Sequence, residues 1–232
     1  MRGRFCLYAV ALTGLTVASS SNRASAAMFS WNFNVPSGSV ASPHTYMDTT
    51  NQFALTAYGY KTTNTGPGAP TLGQTWGNGA GFNYNAGAIS SLSLDGKTSS
   101  PDETGLGLDG LDSDHEIQAN SFVTLDLQNL YTHGLVGLSL IIASIQSPEG
   151  FSVWGSNSLG TPGKLIYMGS NPTTGGDIQS FDVPQFGQYR YVSIAATAGD
   201  VLIGNGARAS TPEPATLGVI FGGLAMFSRR RR

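Results

Sequence analysis

Acidic side chains are concentrated in one short segment, residues 101–117. This acidic segment holds six of the fourteen acidic residues of the chain, together with three glycines. Carboxylates crowded in this way repel each other unless water or a cation separates them, and calcium prefers such oxygen ligands. The candidate calcium ligands are Asp109, Asp112, Asp114 and Glu116. Their spacing does not match the EF-hand loop, so we expect either a calcium ion held structurally between strands or a solvated acidic loop.

Support for catalysis is weak at all three histidines of the chain, His44, His115 and His133. None of them lies in an H-E-x-x-H or H-x-H pattern or beside a nucleophile elbow, so nothing indicates zinc hydrolysis or Ser-His-Asp chemistry. The acidic segment could supply two carboxylates for glycoside cleavage, but any acidic loop offers such pairs. We therefore predict a protein that is not an enzyme, with a glycan-active enzyme as the less favoured alternative.

Three aromatic residues, Trp76, Phe82 and Tyr84, lie in a stretch rich in Gly, Thr and Asn, residues 61–87. The stretch is too long for a tight turn, so we expect an excursion from the main domain. Aromatic rings in such a loop could stack on sugars, which would make the domain a carbohydrate-binding module. Alternatively, the rings are buried and hold the loop against the domain, since aromatic side chains stabilise a protein most when buried.

The body of the chain shows the period-two alternation of β-strands. Phe29, Trp31, Phe33 and Val35 alternate with small polar residues, which places four large apolar side chains on one face. Further strands are predicted at residues 53–58, 88–94, 122–127, 135–145, 151–154, 165–168, 178–183, 189–195 and 201–203. No helical periodicity occurs between the two chain ends. The pattern predicts an all-β fold, an antiparallel β-sandwich or jelly roll.

Two of these strands carry a detailed prediction of which side chains face the core. The inward side chains are expected to be Val123, Leu125 and Leu127 in the first, and Val136, Leu138, Leu140 and Ile142 in the second.

Composition and charge restrict the classes of partner. Charged residues make up 11% of the chain, against about 25% in an ordinary globular protein. Between the chain ends, five basic residues face thirteen acidic ones, a net charge of −8, so nucleic acid and anionic lipid are poor partners. The single cysteine, Cys6, lies near the N-terminus. The domain must therefore be held by its own core or by a bound metal, without disulfides.

The N-terminal residues 1–26 have the pattern of a cleavable secretory signal. Arg2 and Arg4 precede an apolar core at residues 5–18, and Ala24-Ser25-Ala26 supplies the small residues that signal peptidase accepts. Cys6 lies at the start of the apolar core, so the lipoprotein pattern is absent. We expect an exported domain.

The C-terminal residues form a second signal. Pro212-Glu213-Pro214 cannot continue a helix or a sheet ladder, so this element stays extended and open to an enzyme. The apolar residues 215–227 can enter a bilayer, and Arg229, Arg230, Arg231 and Arg232 hold the far end on the cytoplasmic side. As a helix the apolar stretch would span about 20 Å, less than the roughly 30 Å hydrocarbon core, so we expect a temporary membrane anchor.

This tail resembles the PEP-CTERM sorting signal of proteins exported by Gram-negative bacteria that make extracellular polysaccharide. The Pro-Glu-Pro element and the basic end match, and Thr211 stands where the family usually has Val. The resemblance implies processing by an exosortase at residues 212–214, after removal of the signal peptide by signal peptidase. The Gly105-Leu106-Gly107-Leu108 run followed by Glu116-Ile117 is also similar to a loop of many PEP-CTERM β-domains.

These patterns divide the chain into three parts: a signal peptide at residues 1–26, a β-sandwich domain at 27–206, and a stem with the sorting signal at 207–232. We expect a structural or adhesive protein of the cell surface or of the exopolysaccharide matrix of a biofilm. Extracellular polysaccharide is an expected partner, and the alternative is a carbohydrate-binding module.

Overall fold

A computed structural model describes residues 26–63, 72–73, 75–76, 88–170 and 177–212. The predicted signal peptide up to Ser25, the tail beyond Pro212, and the loop residues Phe82 and Tyr84 lie outside these ranges. Within them the regular secondary structure is almost entirely β-strand, with one short helix, α1, at Gln128–Thr132. The all-β prediction is confirmed, although α1 was not expected.

The strands form two antiparallel sheets. The nine-stranded sheet contains β1 (Met28–Trp31), β2 (Gly38–Val40), β6 (Leu94–Thr98), β7 (Thr104–Leu108), β8 (Ile117–Gln118), β10 (Gly137–Ala143), β13 (Gln179–Asp182), β15 (Asp200–Gly204) and β16 (Ala207–Ser210). The seven-stranded sheet contains β3 (His44–Met47), β4 (Ala54–Thr62), β5 (Ile89–Leu92), β9 (Ser121–Asp126), β11 (Gly150–Ser156), β12 (Lys164–Ser170) and β14 (Tyr191–Ala198).

Buried apolar side chains from both sheets form one main hydrophobic cluster. Val123 and Leu125 enter it from β9 of the seven-stranded sheet, and Leu127 follows them. From the nine-stranded sheet, the side chains that β10 contributes are Leu138, Leu140 and Ile142. The alternation of apolar residues therefore predicted six of the seven inward side chains correctly. It failed at Val136, which precedes β10 and is 56% exposed.

The first predicted strand is shorter than its apolar alternation. β1 ends at Trp31, and Phe33 is still fully buried beyond the strand. Val35 is 61% exposed, so only three of the four apolar side chains reach the core.

Strand β10 runs between the two ends of the domain. At its start Gly137 pairs with Ser210 of β16, and at its finish Ala143 pairs with Leu202 of β15. We call the first end the terminal end, because the described chain enters and leaves the domain there. The second is called the acidic end, because Asp200 begins β15 beside it. Seven strand residues separate the two ends by about 20 Å.

Residues 207–210, expected to begin a flexible stem, form strand β16 instead. This strand lies between β1 and β10, and the side chains of Ala207 and Ala209 are buried. Gly206 has a positive φ of 91°, a conformation that glycine adopts without strain, and it turns the chain from β15 into β16. Alternating alanines bury little surface each, so the sequence pattern resembles a linker more than a strand.

Glycines on β7 allow the acidic segment to fold back over this strand. Leu106 and Leu108 of β7 enter the core, whereas a Cβ atom at Gly107 would collide with the backbone oxygen of His115. The same oxygen accepts a hydrogen bond from the Leu108 N–H at 3.0 Å. Gly105 meets the backbone of Ile203 in the same way. The close approach of these backbones requires residues without side chains.

We predict that Gly107→Ala destabilises the domain, because the new methyl group must push the His115 backbone away from β7. The expected loss in the free energy of unfolding is about 1–3 kcal/mol, measured by chemical denaturation. Gly137→Ala is the matched control, since nothing lies within 4 Å of a Cβ at that strand position. Equal stability of the two variants would contradict the close approach.

Candidate acidic site

The acidic segment is a strand followed by a loop. β7 ends at Leu108, and the loop then runs through residues 109–116 to β8. The side chain of Asp112 organises the loop: its Oδ1 atom accepts hydrogen bonds from the N–H groups of Asp114 at 3.0 Å and His115 at 3.2 Å. Its Oδ2 atom accepts a hydrogen bond from the side-chain amide of Gln118. Local Asp-to-backbone bonds of this kind hold a turn without regular secondary structure.

Three carboxylates converge at the acidic end. Oxygen atoms of Asp112, Asp114 and Asp200 all lie within 4.8 Å of one another. Asp200 reaches the loop because it pairs with Gln118 in the short β8–β15 ladder. Calcium binds oxygen ligands at 2.3–2.6 Å, so oxygens at these separations are close enough to share one ion. The arrangement offers hard oxygen ligands from a loop and from a strand end.

The structure thus brings together Asp112 and Asp114 of the four predicted calcium ligands, and adds Asp200. Asp109 lies elsewhere, with its Oδ1 atom 3.3 Å from Nδ1 of His115. The same histidine nitrogen is 3.6 Å from Oδ2 of Asp95, and neither contact has hydrogen-bond geometry. His115 therefore lies between two acids, on the side of the loop that faces β6.

Glu116, the fourth predicted ligand, is buried in an ion pair. Its Oε1 atom accepts hydrogen bonds from Nζ of Lys97 at 2.5 Å and from Oγ of Ser144 at 3.0 Å. Oε2 is also buried and has no hydrogen-bond partner among the described residues. The pair links the acidic loop to β6 and to the residue that follows β10. Glu116 therefore acts as a structural anchor of the loop that carries Asp112 and Asp114.

Burial raises the pKa of Glu116 to about 7, against the opposing effect of Lys97. Burial works to lower the pKa of Lys97, but the hydrogen bond to Glu116 and the negative charges around the lysine together outweigh it, so the pKa is raised. The two pKa shifts do not agree with each other. A raised pKa favours a neutral Glu116, but only a charged Glu116 would raise the pKa of Lys97. The raised pKa of Glu116 follows from its deeper burial, since its side chain is 3% exposed and that of Lys97 is 19% exposed.

A further carboxylate lies beside Asp200. Glu149 packs against Gly199, the residue before β15, and its Oε2 atom accepts a hydrogen bond from the Gln146 N–H at 2.6 Å. Burial, with a smaller contribution from the charge of Asp200, raises the pKa of Glu149. The negative charge of the acidic end therefore comes from three separate parts of the chain.

Trp76 belongs to the hydrophobic packing of the seven-stranded sheet. Its side chain is 8% exposed and makes edge-on ring contacts with Trp154, at 4.9 Å between centroids, and with Phe122, at 5.3 Å. Its backbone N–H donates to the Gly163 oxygen at 2.7 Å. This placement favours the interpretation that the aromatic side chain holds the loop against the domain. A sugar platform at Trp76 would require an exposed ring face.

Sequence reasoning missed Asp200 and the role of Glu116 for different reasons. Asp200 is far from the acidic segment in the chain, and only the β8–β15 pairing brings it near. Glu116 follows three acids at short intervals, so its type and spacing suggested a ligand. Glu116 and Ile117 are both buried, and no pattern in the sequence around them indicates that the carboxylate is buried.

Comparisons with known proteins give no relatives: no family model, no curated protein and no solved structure matches the chain. Among the residues that the structure describes, no helix is long and apolar enough to cross a membrane. The candidate tail segment at residues 215–227 lies outside those residues.

Calcium binding by the acidic end is testable through stability. An ion that binds only the folded protein stabilises it by about 2.7 kcal/mol at a hundredfold excess over Kd. We therefore expect calcium to raise the Tm of the wild type by several degrees and to have little effect on Asp112→Asn/Asp114→Asn. The control Glu103→Gln/Asp182→Asn removes two carboxylates elsewhere and should keep the shift. A solvated loop predicts equal, small effects of calcium and magnesium in all three proteins.

The buried Glu116 predicts a particular pH dependence of stability. From its ordinary pKa of 4.5 up to about 7, the folded protein holds the Glu116 proton that the unfolded chain releases. The free energy of unfolding should therefore fall as pH rises through this window. Glu116→Gln should lose this component of the slope, as measured by denaturation at a series of pH values. Glu103→Gln is the control, and a wild-type slope in Glu116→Gln would contradict the assignment.

Proposed function

We propose that the chain is an exported protein of the cell surface or of the exopolysaccharide matrix, with a structural or adhesive role. In this proposal its body is a β-sandwich of jelly-roll type and its tail is a sorting signal. Signal peptidase and an exosortase process the two ends, and the protein is not an enzyme. The biofilm matrix of a Gram-negative bacterium is the expected destination.

The observation that carries this proposal is the order of residues in the tail. A Pro212-Glu213-Pro214 element, an apolar stretch and four arginines follow one another without a gap of more than one residue. A membrane anchor that is later removed needs a cleavage site that an enzyme can reach. It also needs an apolar segment that enters the bilayer and basic residues that hold its far end. Glu213 and the residues after it lie outside the described part of the chain, so this support comes from the sequence.

The folded body supports the proposal through the position of its ends. Ala27 follows the predicted signal-peptidase site, and Thr211 precedes the Pro-Glu-Pro element. The Thr211 N–H donates to the Ala27 oxygen, and the Ala27 N–H donates to Oγ1 of Thr211, both at 3.1 Å. In this proposal both cleavages fall next to this Ala27–Thr211 pair, outside β1 and β16, where cutting the chain would leave the core intact.

A binding role for the body would use the acidic end. A structural calcium ion there would neutralise part of the charge of Asp112, Asp114 and Asp200 and could bridge the loop to β15. An acidic end that holds calcium also suits contacts with other acidic surfaces or with polysaccharide hydroxyl groups. The alternative of a carbohydrate-binding module loses its first candidate platform, because Trp76 is buried.

The proposal is tested by finding where the protein goes and what its mature ends are. We expect fractionation with mass spectrometry to detect a surface or matrix form that begins at Ala27 and lacks Arg229–Arg232. Glu213→Ala should leave the precursor in the inner membrane if an exosortase recognises the tail. Glu103→Ala, an acidic change in the body, should be processed normally. Surface protein that retains the four arginines would overturn the proposed processing.

A further inference from the structure

Four side chains line a groove beside β16, the strand that leads to Pro212, the last residue described. They are Met28, Val136, Phe186 and Arg208, and we call them the exit patch. Met28 is paired with Ser210 in the β1–β16 ladder, and the Val136 N–H donates to the Ser210 oxygen at 3.0 Å. The two apolar residues therefore lie on either side of the strand that leads into the tail.

The exit patch is unusually apolar for an exposed surface of this protein. Met28 is 63% exposed and Val136 is 56% exposed, although most of the large apolar side chains described are buried. Phe186 is half-buried beside them, with an edge-on ring contact to Tyr131 of α1 at 4.8 Å between centroids. These side chains line a groove of about 550 Å³ whose floor includes Gly137 and Ser139. Exposed apolar side chains grouped beside a groove indicate a contact surface.

The groove is lined by one basic residue, Arg208, and by one acidic residue, Asp182. The Arg208 side chain is exposed, and no carboxylate described in the structure lies within ion-pair distance of it. Asp182 lies in the same cross-strand row but on β13, two strand spacings or about 10 Å away across Ser139. A guanidinium group without a local partner can bind a phosphate group bidentately.

The sequence places a membrane-entering segment very close to this patch. Only Glu213 and Pro214 separate Pro212 from Ala215, where the apolar stretch begins. Three residue steps reach at most about 11 Å. The headgroup layer on each side of the hydrocarbon core is about 5–8 Å thick. While residues 215–227 occupy a bilayer, the terminal end of the domain therefore has to lie against the lipid surface.

We propose that the exit patch is a membrane-contact surface that seats the domain on the bilayer. Met28 and Val136 enter the headgroup region, and Arg208 binds a lipid phosphate. Zwitterionic lipid supplies that phosphate without the repulsion that a body charge of −8 would meet at an anionic surface. This inference rests on the membrane role of the tail in the proposed function. It adds a fixed orientation, with the acidic end directed away from the membrane.

Single-cysteine labelling tests the orientation. With Cys6→Ser as background, the chain contains no other cysteine, so an environment-sensitive fluorophore can be attached at one chosen position. Val136→Cys places it in the exit patch, and Ile178→Cys places it at a similarly exposed apolar residue, 47% exposed, beside the Gln179 end of β13. Gln179 pairs with Ile142, near the acidic end. The full chain is then incorporated into phosphatidylcholine vesicles containing a spin-labelled lipid that quenches fluorescence.

We expect the full chain to float with the vesicles and quenching to be several-fold stronger at position 136 than at 178. Arg208→Gln with Met28→Ser should reduce quenching at 136 without reducing flotation. Flotation with equal quenching at both positions would overturn the exit patch alone. Equal flotation of a chain that ends at Pro212 would show that residues 5–18 bind the vesicles and would overturn the membrane role of the tail. Failure of the full chain to float would overturn that role, and the exit patch with it.

Discussion

The acidic end depends on one buried ion pair, between Lys97 of β6 and Glu116 before β8. Ser144, after β10, donates to the same carboxylate oxygen, so one side chain joins three parts of the nine-stranded sheet. When both groups are charged, removing one partner of such a pair typically costs about 3–5 kcal/mol, because an uncompensated buried charge remains. The pair also fixes where Ile117 begins β8, and β8 in turn brings Asp200 to the loop. The exposed carboxylates are therefore positioned by a buried one.

The domain has two chemically different ends, separated by the length of β10. One end gathers carboxylates from the 109–116 loop, from Asp200 and from Glu149. At the other, the two ends of the described part of the chain lie beside exposed apolar side chains and Arg208. Separation of this kind means that attachment and recognition need not compete for the same surface. A domain seated through its terminal end would present its negative charge outward, where cations and neutral polymers are encountered first.

The sequence predicted those parts of the fold that depend on large apolar side chains. In β9, Thr124 separates Val123 from Leu125, and both the strand and its inward face were correctly identified from this alternation. β16 was missed because Ala207 and Ala209 are too small to mark a buried face. In the acidic segment, residue type identified Asp112 and Asp114 but could not reveal contacts between distant strands. Burial of Glu116 and the arrival of Asp200 both depend on tertiary pairing, which spacing along the chain does not encode.

The pairing of β16 between β1 and β10 has a mechanical consequence. Its hydrogen bonds run perpendicular to the strand, and Thr211, which bonds to Ala27, continues the strand toward Pro212, the last residue described. If the tail is pulled while the acidic end is held, the hydrogen bonds of β16 are therefore loaded together in shear. A pull perpendicular to the strand would instead break them one after another. Shear spreads the load over both neighbouring strands, so force applied through the tail reaches the core before any single bond has to break.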